Sequence, residues 1–265
     1  MKPTIGERAL ALLLLAAALP VMAAIALAIL VVDGRPILYR SPRCGAGGAL
    51  FPMFKFRTMQ PGAEDGTASG GHKRCFVTRT GAALRATHLD ELPQLANVLR
   101  GEMRFVGYRA PLPGHVALDP VGWRPVLEKA PGLTGLATLL VGPIEARVLS
   151  ELTDPGAVEA LYLSRFVPAK RRLDLAYAER RCVRSDVSMV MATLLAVLFP
   201  RGGLSQKIVK SAAGDLQQDR LFRGAVDQCP EDMSARPVDD ESFVDRVVAR
   251  ARRAAEIDLE GRSSG

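Results

Sequence analysis

Between Ala9 and Val32 the chain carries 24 consecutive residues without a charge, and no other feature narrows its possible folds so far. At about 1.5 Å of rise per residue, a helix of that length reaches across a hydrocarbon layer of about 30 Å. Three arrangements accommodate it: a cleaved leader, a helix that passes through the bilayer, or a hairpin that enters and leaves on one side. Lys2 and Arg8 precede the run, and Val21-Met22-Ala23 resembles a leader cleavage site. The run nevertheless continues to Val32, well past the about 7 to 15 residues usual for a leader core. Basic residues flank both ends, Lys2 and Arg8 before and Arg35, Arg40 and Arg43 after, whereas a through-going helix normally shows a one-sided excess. Pro20, near the centre, removes one backbone hydrogen bond and crowds the preceding turn. A bend with symmetric positive flanks favours the re-entrant hairpin; a spanning helix merely kinked at Pro20 stays open.

The net charge of +7 and pI near 9.5 suit an anionic partner. Aromatic residues make up only 5% of the chain, no basic stretch is interleaved with them, and no zinc-finger spacing occurs, so nucleic acid is not expected. Cys44, Cys75, Cys182 and Cys229 form no C-x-x-C pair and have no histidine at ligand spacing, which reads as reduced thiols in a reducing compartment.

Residues 33–71 read as loops and brief strands, with strand-like pieces at Ile37-Leu38-Tyr39 and Phe51-Pro52-Met53-Phe54 and a mobile surface loop at Pro61 to Gly71. Leu92, Leu95, Ala96 and Leu99 then recur on one helical face, with Asp90 as N-cap, Pro93 in the first turn and Gly101 as the stop. The Pro-Gly of PGLTG (131–135) suits the centre of a type II turn. Residues 157–184 read as an Arg- and Lys-rich helix interrupted by Pro168, a candidate membrane-facing surface. Met189 to Phe199 is apolar but too short to span a bilayer. The division expected is 1–34 as membrane segment, 35–200 as catalytic domain and 201–265 as a polar tail.

Asp90 and Glu91 at a helix start, with Lys55, Arg57, Arg85, Arg100, Arg104 and Arg109 near in sequence, form the chain's one dense acidic and basic constellation. It suits phosphate chemistry, because helix N-terminal amides and arginines bind phosphate oxygens and a carboxylate can hold Mg²⁺ against them. Adjacent helical residues point about 100° apart, so divided labour is natural, one carboxylate attacking phosphorus and the other holding metal. The spacing alone equally fits a plain helix cap beside a residue that favours the dipole.

KFRTM (55–59), LRATHLDELPQLANVLRGEMRFVG (84–107), PGLTGLA (131–137) and Leu173-Asp174-Leu175-Ala176-Tyr177 before Asp186 together resemble the bacterial polyprenyl-phosphate sugar-phosphate transferases, over roughly residues 5–200. The resemblance implies an α+β, helix-rich, monotopic membrane protein, with a re-entrant helix broken at Pro20 and a small catalytic domain facing the cytoplasm from the bacterial inner membrane. It implies that Asp90 attacks the β-phosphate of a nucleotide sugar, a UDP-sugar, and becomes a phosphosugar ester. A polyprenyl (undecaprenyl) phosphate then takes up the sugar phosphate, which starts a lipid-linked glycan. Glu91 would hold Mg²⁺, Lys55, Arg57, Arg85 and Arg109 would bind substrate phosphate, and downstream glycosyltransferases would be partners. The chain departs from the family pattern at Leu19, Ala11, His88, Tyr108, Ala110, Ala130, Leu136 and Thr138. Those departures leave a second expectation, a membrane-anchored relative without catalysis that serves assembly or regulation.

Overall fold

The computed structural model describes residues 3–63 and 71–198. Helix α1 (Ile5–Val32) opens with a capping box in which the Thr4 hydroxyl accepts from the Glu7 N–H and the Glu7 carboxylate accepts from the Thr4 N–H. It is long and apolar enough to cross a membrane. Helical backbone continues through Pro20, so the expected break is not a gap between two helices, and the proline lies inside one element.

The two ends of α1 grip the rest of the protein while most of its apolar length stands exposed. At the start, Arg8 donates to the Leu99 carbonyl at 2.8 Å and Glu7 pairs with Arg104 at 3.1 Å. Ala11, one turn after Glu7, is fully buried against a cluster that includes Phe51, Met53 and Val98. Glu7 thus lies one turn before Ala11 on the same face of α1. At the other end, Met22, Ile25 and Ile29 pack with Phe56, Leu84, Leu89 and Leu92.

Strands β1 (Leu38–Cys44) and β2 (Leu50–Phe56) form an antiparallel hairpin in which Tyr39 faces Lys55 and Ser41 faces Met53. Both strand-like sequence pieces fall in it except Ile37, which lies just before β1. Helix α2 (Arg79–Thr87) follows, capped by the Thr78 hydroxyl. Then come a 3-10 helix (Leu89–Gln94) and α3 (Leu95–Arg100), which ends at Gly101 with φ of 86° as the glycine stop requires. Asn97 stitches α3 to the free edge of β2 by accepting from the Phe54 N–H at 3.0 Å and donating to the Pro52 carbonyl at 2.7 Å.

Strand β3 (Arg104–Val106) pairs in parallel with β4 (Gly132–Thr134), so PGLTG is a strand and not the expected type II turn. The glycine serves close approach rather than a positive φ, since a Cβ on Gly132 would lie 2.1 Å from the Gly107 nitrogen. Helices α4 (Pro113–Leu118) and α5 (Pro120–Leu127) connect the two strands.

Helices α6 (Leu136–Ser150), α7 (Pro155–Leu161), α8 (Val167–Arg180) and α9 (Val183–Leu198) surround the largest core, built on Leu136, Val141, Phe166, Leu173 and Met189. The interruption expected at Pro168 is a π-helical turn, Tyr162–Phe166, with the proline in the first turn of α8 where its missing N–H costs nothing. Helix α9 buries Met189 and Ala192 and exposes Val187, Met191 and Leu194, so it has both a core face and an outer apolar face. Part of the Pro61 to Gly71 loop and the polar tail lie outside the described residues.

Candidate active site

The 3-10 helix places Asp90 and Glu91 between α1 and the hairpin. Their flanking leucines, Leu89 and Leu92, pack among α1 side chains, while both carboxylates line a cavity of about 390 Å³ on the other side. Asp90 is therefore not the N-cap expected from sequence. The reversal before it is made by His88, the one non-glycine with positive φ among the described residues (54°), which ends α2 and starts the 3-10 turn. His88 also lines the cavity, although it carries no role in the sequence reading.

The two carboxylates have opposite environments. Glu91 Oε1 accepts from Lys55 Nζ at 2.8 Å and from Arg109 Nη2 at 2.7 Å. Burial pushes its pKa up, but Arg109 and Lys55 outweigh burial and hold the carboxyl well below the usual glutamate range. Asp90 is buried, at 7% exposure, yet among the described residues its carboxylate receives no hydrogen bond or ion pair. Burial raises its pKa, Lys55 and Arg85 oppose the rise and the charge on Glu91 adds to it. A carboxylate freed from partners, made more basic by desolvation and bordered by cations is suited to attack an electrophile that brings its own negative charge.

The cavity gathers most of the expected residues. Lys55 faces it from β2, Arg109 from the loop after β3, and Arg85 from α2, where its Nε donates to the Thr58 hydroxyl at 2.9 Å. Arg57 is the exception. Its Nε donates to the Pro36 carbonyl at 2.6 Å and its Nη2 to the carbonyls of Asp33 and Gly34, both at 2.8 Å, so it clamps the exit of α1 and does not line the cavity. Thr80 bonds the Asp33 carboxylate at the same place. Arg100 lies over the Phe54 ring and Arg104 pairs with Glu7, which removes both from the constellation. The physical reason is that α3 and β3 carry these side chains away from the dyad and towards the start of α1.

Sequence reasoning missed Arg43, which lines the cavity with Tyr39 and Ser41. These three alternate on one face of β1, and the period of two in Leu38–Cys44 was the available signal. Lys73, also unexpected, is buried in the same wall. Farther in, Asp174 of α8 accepts the Ala137 N–H in the first turn of α6, a helix with no cap from its own Gly135, and burial lifts its pKa to about 7. Tyr108 and Ala110, which depart from the family pattern, are core residues at 4% and 1% exposure and leave Arg109 between them on the cavity.

Residues 3–200 match the family model described as bacterial sugar transferase. The chain is 36% identical over 197 residues to a Caulobacter vibrioides UDP-glucose:undecaprenyl-phosphate glucose-1-phosphate transferase, covering 71% of this chain and 66% of that protein. It is 38% identical over 199 residues to an undecaprenyl-phosphate glucose phosphotransferase of Komagataeibacter xylinus, covering 71% of this chain and 34% of the relative. A Salmonella typhimurium undecaprenyl-phosphate galactose phosphotransferase is 37% identical over 122 residues, 39% of this chain and 25% of the relative. The chain thus spans between a quarter and two thirds of the length of these relatives. A family match over most of the chain, which takes in the carboxylate pair and its cations, makes this protein a member of the bacterial sugar transferase family.

Proposed function

We propose that this protein transfers a sugar 1-phosphate from a UDP-sugar to undecaprenyl phosphate through a phosphosugar ester on Asp90. The observation that carries the reading is the division of labour in the dyad: Glu91 is held by two cations, and Asp90 faces the same cavity with no partner among the described residues. In the first step an Asp90 oxygen bonds to the β-phosphorus, the bond from that phosphorus to the bridging oxygen breaks, and UMP leaves with the electron pair. In the second, an oxygen of the lipid phosphate bonds to the same phosphorus and Asp90 departs as a carboxylate. Neither step requires a proton, which suits a cavity lined by permanent cations rather than by a general acid.

Mg²⁺ fits this donor set. Both cations use Oε1 of Glu91, and Oε2 has no partner among the described residues. An ion bound by one carboxylate and by substrate phosphates needs no closed protein cage. Such an ion supplies charge neutralisation at the phosphate oxygens.

The membrane segment supports the same reading. Because both ends of α1 hold one body, a membrane that receives the exposed apolar middle leaves both ends on one side, the re-entrant arrangement. The body then faces the cytoplasm from the inner membrane, where nucleotide sugars are available, and the lipid-linked product passes to a glycosyltransferase that extends it.

The test is direct. Full-length protein in detergent, given undecaprenyl phosphate, Mg²⁺ and a panel of UDP-sugars, releases UMP with at least one donor, and quenched enzyme carries a phosphosugar adduct on Asp90. Asp90→Asn shows neither. Equal UMP release by Asp90→Asn excludes the nucleophile, and silence of the wild type across the panel favours the non-catalytic relative.

A further inference from the structure

We propose that Arg43 is the ligand for the phosphate of the departing nucleotide, so that the donor diphosphate runs from Asp90 past Glu91 towards the end of β1. The inference rests on the transferase reading and assigns a residue that reading leaves unused.

Charge is the first argument. Of the cavity cations, Lys55 and Arg109 share the Glu91 carboxylate. Arg43 has only neutral acceptors, the Ser41 hydroxyl for its Nε at 3.0 Å and the Ala110 carbonyl for its Nη1 at 3.1 Å. Among the described residues no carboxylate pairs with it, and its Nη2 has no partner. Burial, with the charge of Arg109 beside it, brings the Arg43 pKa down to about 10, so the group stays cationic at neutral pH. A half-buried cation next to another cation is costly unless an anion arrives to pair with it. The two hydrogen bonds hold the guanidinium in place, which leaves Nη2 set to receive a phosphate oxygen.

Position is the second argument. The charges acting on Asp90 are those of Lys55, Glu91, Arg85 and His88. Those acting on Arg43 come from Arg109, Tyr162, Tyr39 and Glu91. Arg43, Asp90 and Glu91 line one cavity, and the charge of Glu91 acts on both of the other two. In phosphoryl transfer the attacking and leaving oxygens stand roughly in line across phosphorus. With Asp90 on one side of the β-phosphorus, the bridging oxygen and the α-phosphate fall on the other, and Arg43, with Arg109 acting beside it on the same cavity, receives them. As the bond breaks, the electron pair stays on the former bridging oxygen, and the nucleotide phosphate gains a negative charge that the Arg43 guanidinium neutralises. The acceptor phosphate attacks from the side the nucleotide vacates, so it meets Arg43 as well.

Equilibrium binding to the full-length protein tests this, with UMP, uridine and pyrophosphate as probes. Wild type and Asp90→Asn prefer UMP to uridine. Arg43→Gln weakens UMP binding by about 10- to 100-fold, the range for a hydrogen bond to a charged group, and leaves uridine unchanged; Arg43→Lys recovers part of the loss. Undecaprenyl phosphate displaces UMP from the wild type. Arg43→Gln that binds UMP as the wild type does overturns the proposal, and so does an equal loss of UMP and uridine or a collapsed melting temperature in Gln and Lys variants alike, which marks a structural role. If the wild type ignores UMP but binds pyrophosphate in an Arg43-dependent way, the uridine donor is wrong and the anion site stands. If it binds neither, both readings fail.

Discussion

Lys55 and Arg57 stand two residues apart where β2 ends, and the two regions they enter use positive charge in opposite ways. At the exit of α1, Arg57 donates to three backbone carbonyls and ties elements together. In the cavity, Lys55 and Arg109 converge on one carboxylate oxygen, Arg43 lacks an anionic partner among the described residues, and Asp90 lacks any hydrogen-bond or ion-pair partner among them. The difference teaches that a cation is structural or functional by what it faces, since both guanidinium groups have only neutral acceptors. Arg57 is spent on the backbone where α1 ends, whereas Arg43 opens on the cavity of the dyad, where an anion can pair with it.

The largest effect that sharpens this contrast comes from Glu91→Gln. It strips the charge that holds Lys55 and Arg109, and UMP release falls by about 100- to 1,000-fold, as for loss of a preorganised electrostatic group. Because the native Glu91 pKa is depressed, the stability it contributes is present above the ordinary glutamate pKa and is lost as pH falls through the native value. The wild type therefore loses an advantage over Glu91→Gln on acidification, and parallel acid melts that never converge refute the pairing.

Arg57→Ala strikes the other region. Loss of three charge-assisted hydrogen bonds costs about 2–4 kcal/mol, read as a lowered melting temperature, with turnover of the folded fraction near wild type. An Arg57→Ala protein of unchanged stability that binds UMP poorly moves this residue into the site and breaks the comparison.

Asp174→Asn gives a smaller, pH-dependent change. The native carboxyl is raised to about 7 while the unfolded one titrates at its ordinary value, so its favourable contribution is full below about 4 and is lost as pH rises through about 7. At pH 8 Asp174→Asn is more stable than the wild type by about 1–3 kcal/mol, and near pH 5 the difference shrinks. Melting temperatures across that range check both ends, and a constant offset refutes the assignment. The smallest effect is expected from Glu7→Gln, which weakens one ion pair at the start of α1 by about 0.5–1 kcal/mol without touching UMP release.

Much of the site was legible because its parts are local. The helical repeat after Asp90, the Gly101 stop and the alternation in β2 are set by neighbours a few residues away. Charge proximity along the chain was a poorer guide. Arg57, Arg100 and Arg104 lie as near the dyad in sequence as the cavity cations do, and each is taken by another partner. Arg43 lies 47 positions before Asp90 and was legible only as a basic flank of the apolar run.

By itself the sequence determined the apolar helix, the hairpin strands and a carboxylate pair in a short helical turn, since hydrophobic run length, side-chain alternation and turn chemistry act over a few residues. Tertiary structure alone decided that PGLTG is a strand, that Arg57 is a clamp and that Arg43 faces the dyad. A guanidinium or a Pro-Gly step suits several environments equally well, and what it becomes depends on which distant carbonyl, carboxylate or strand the folded chain brings beside it.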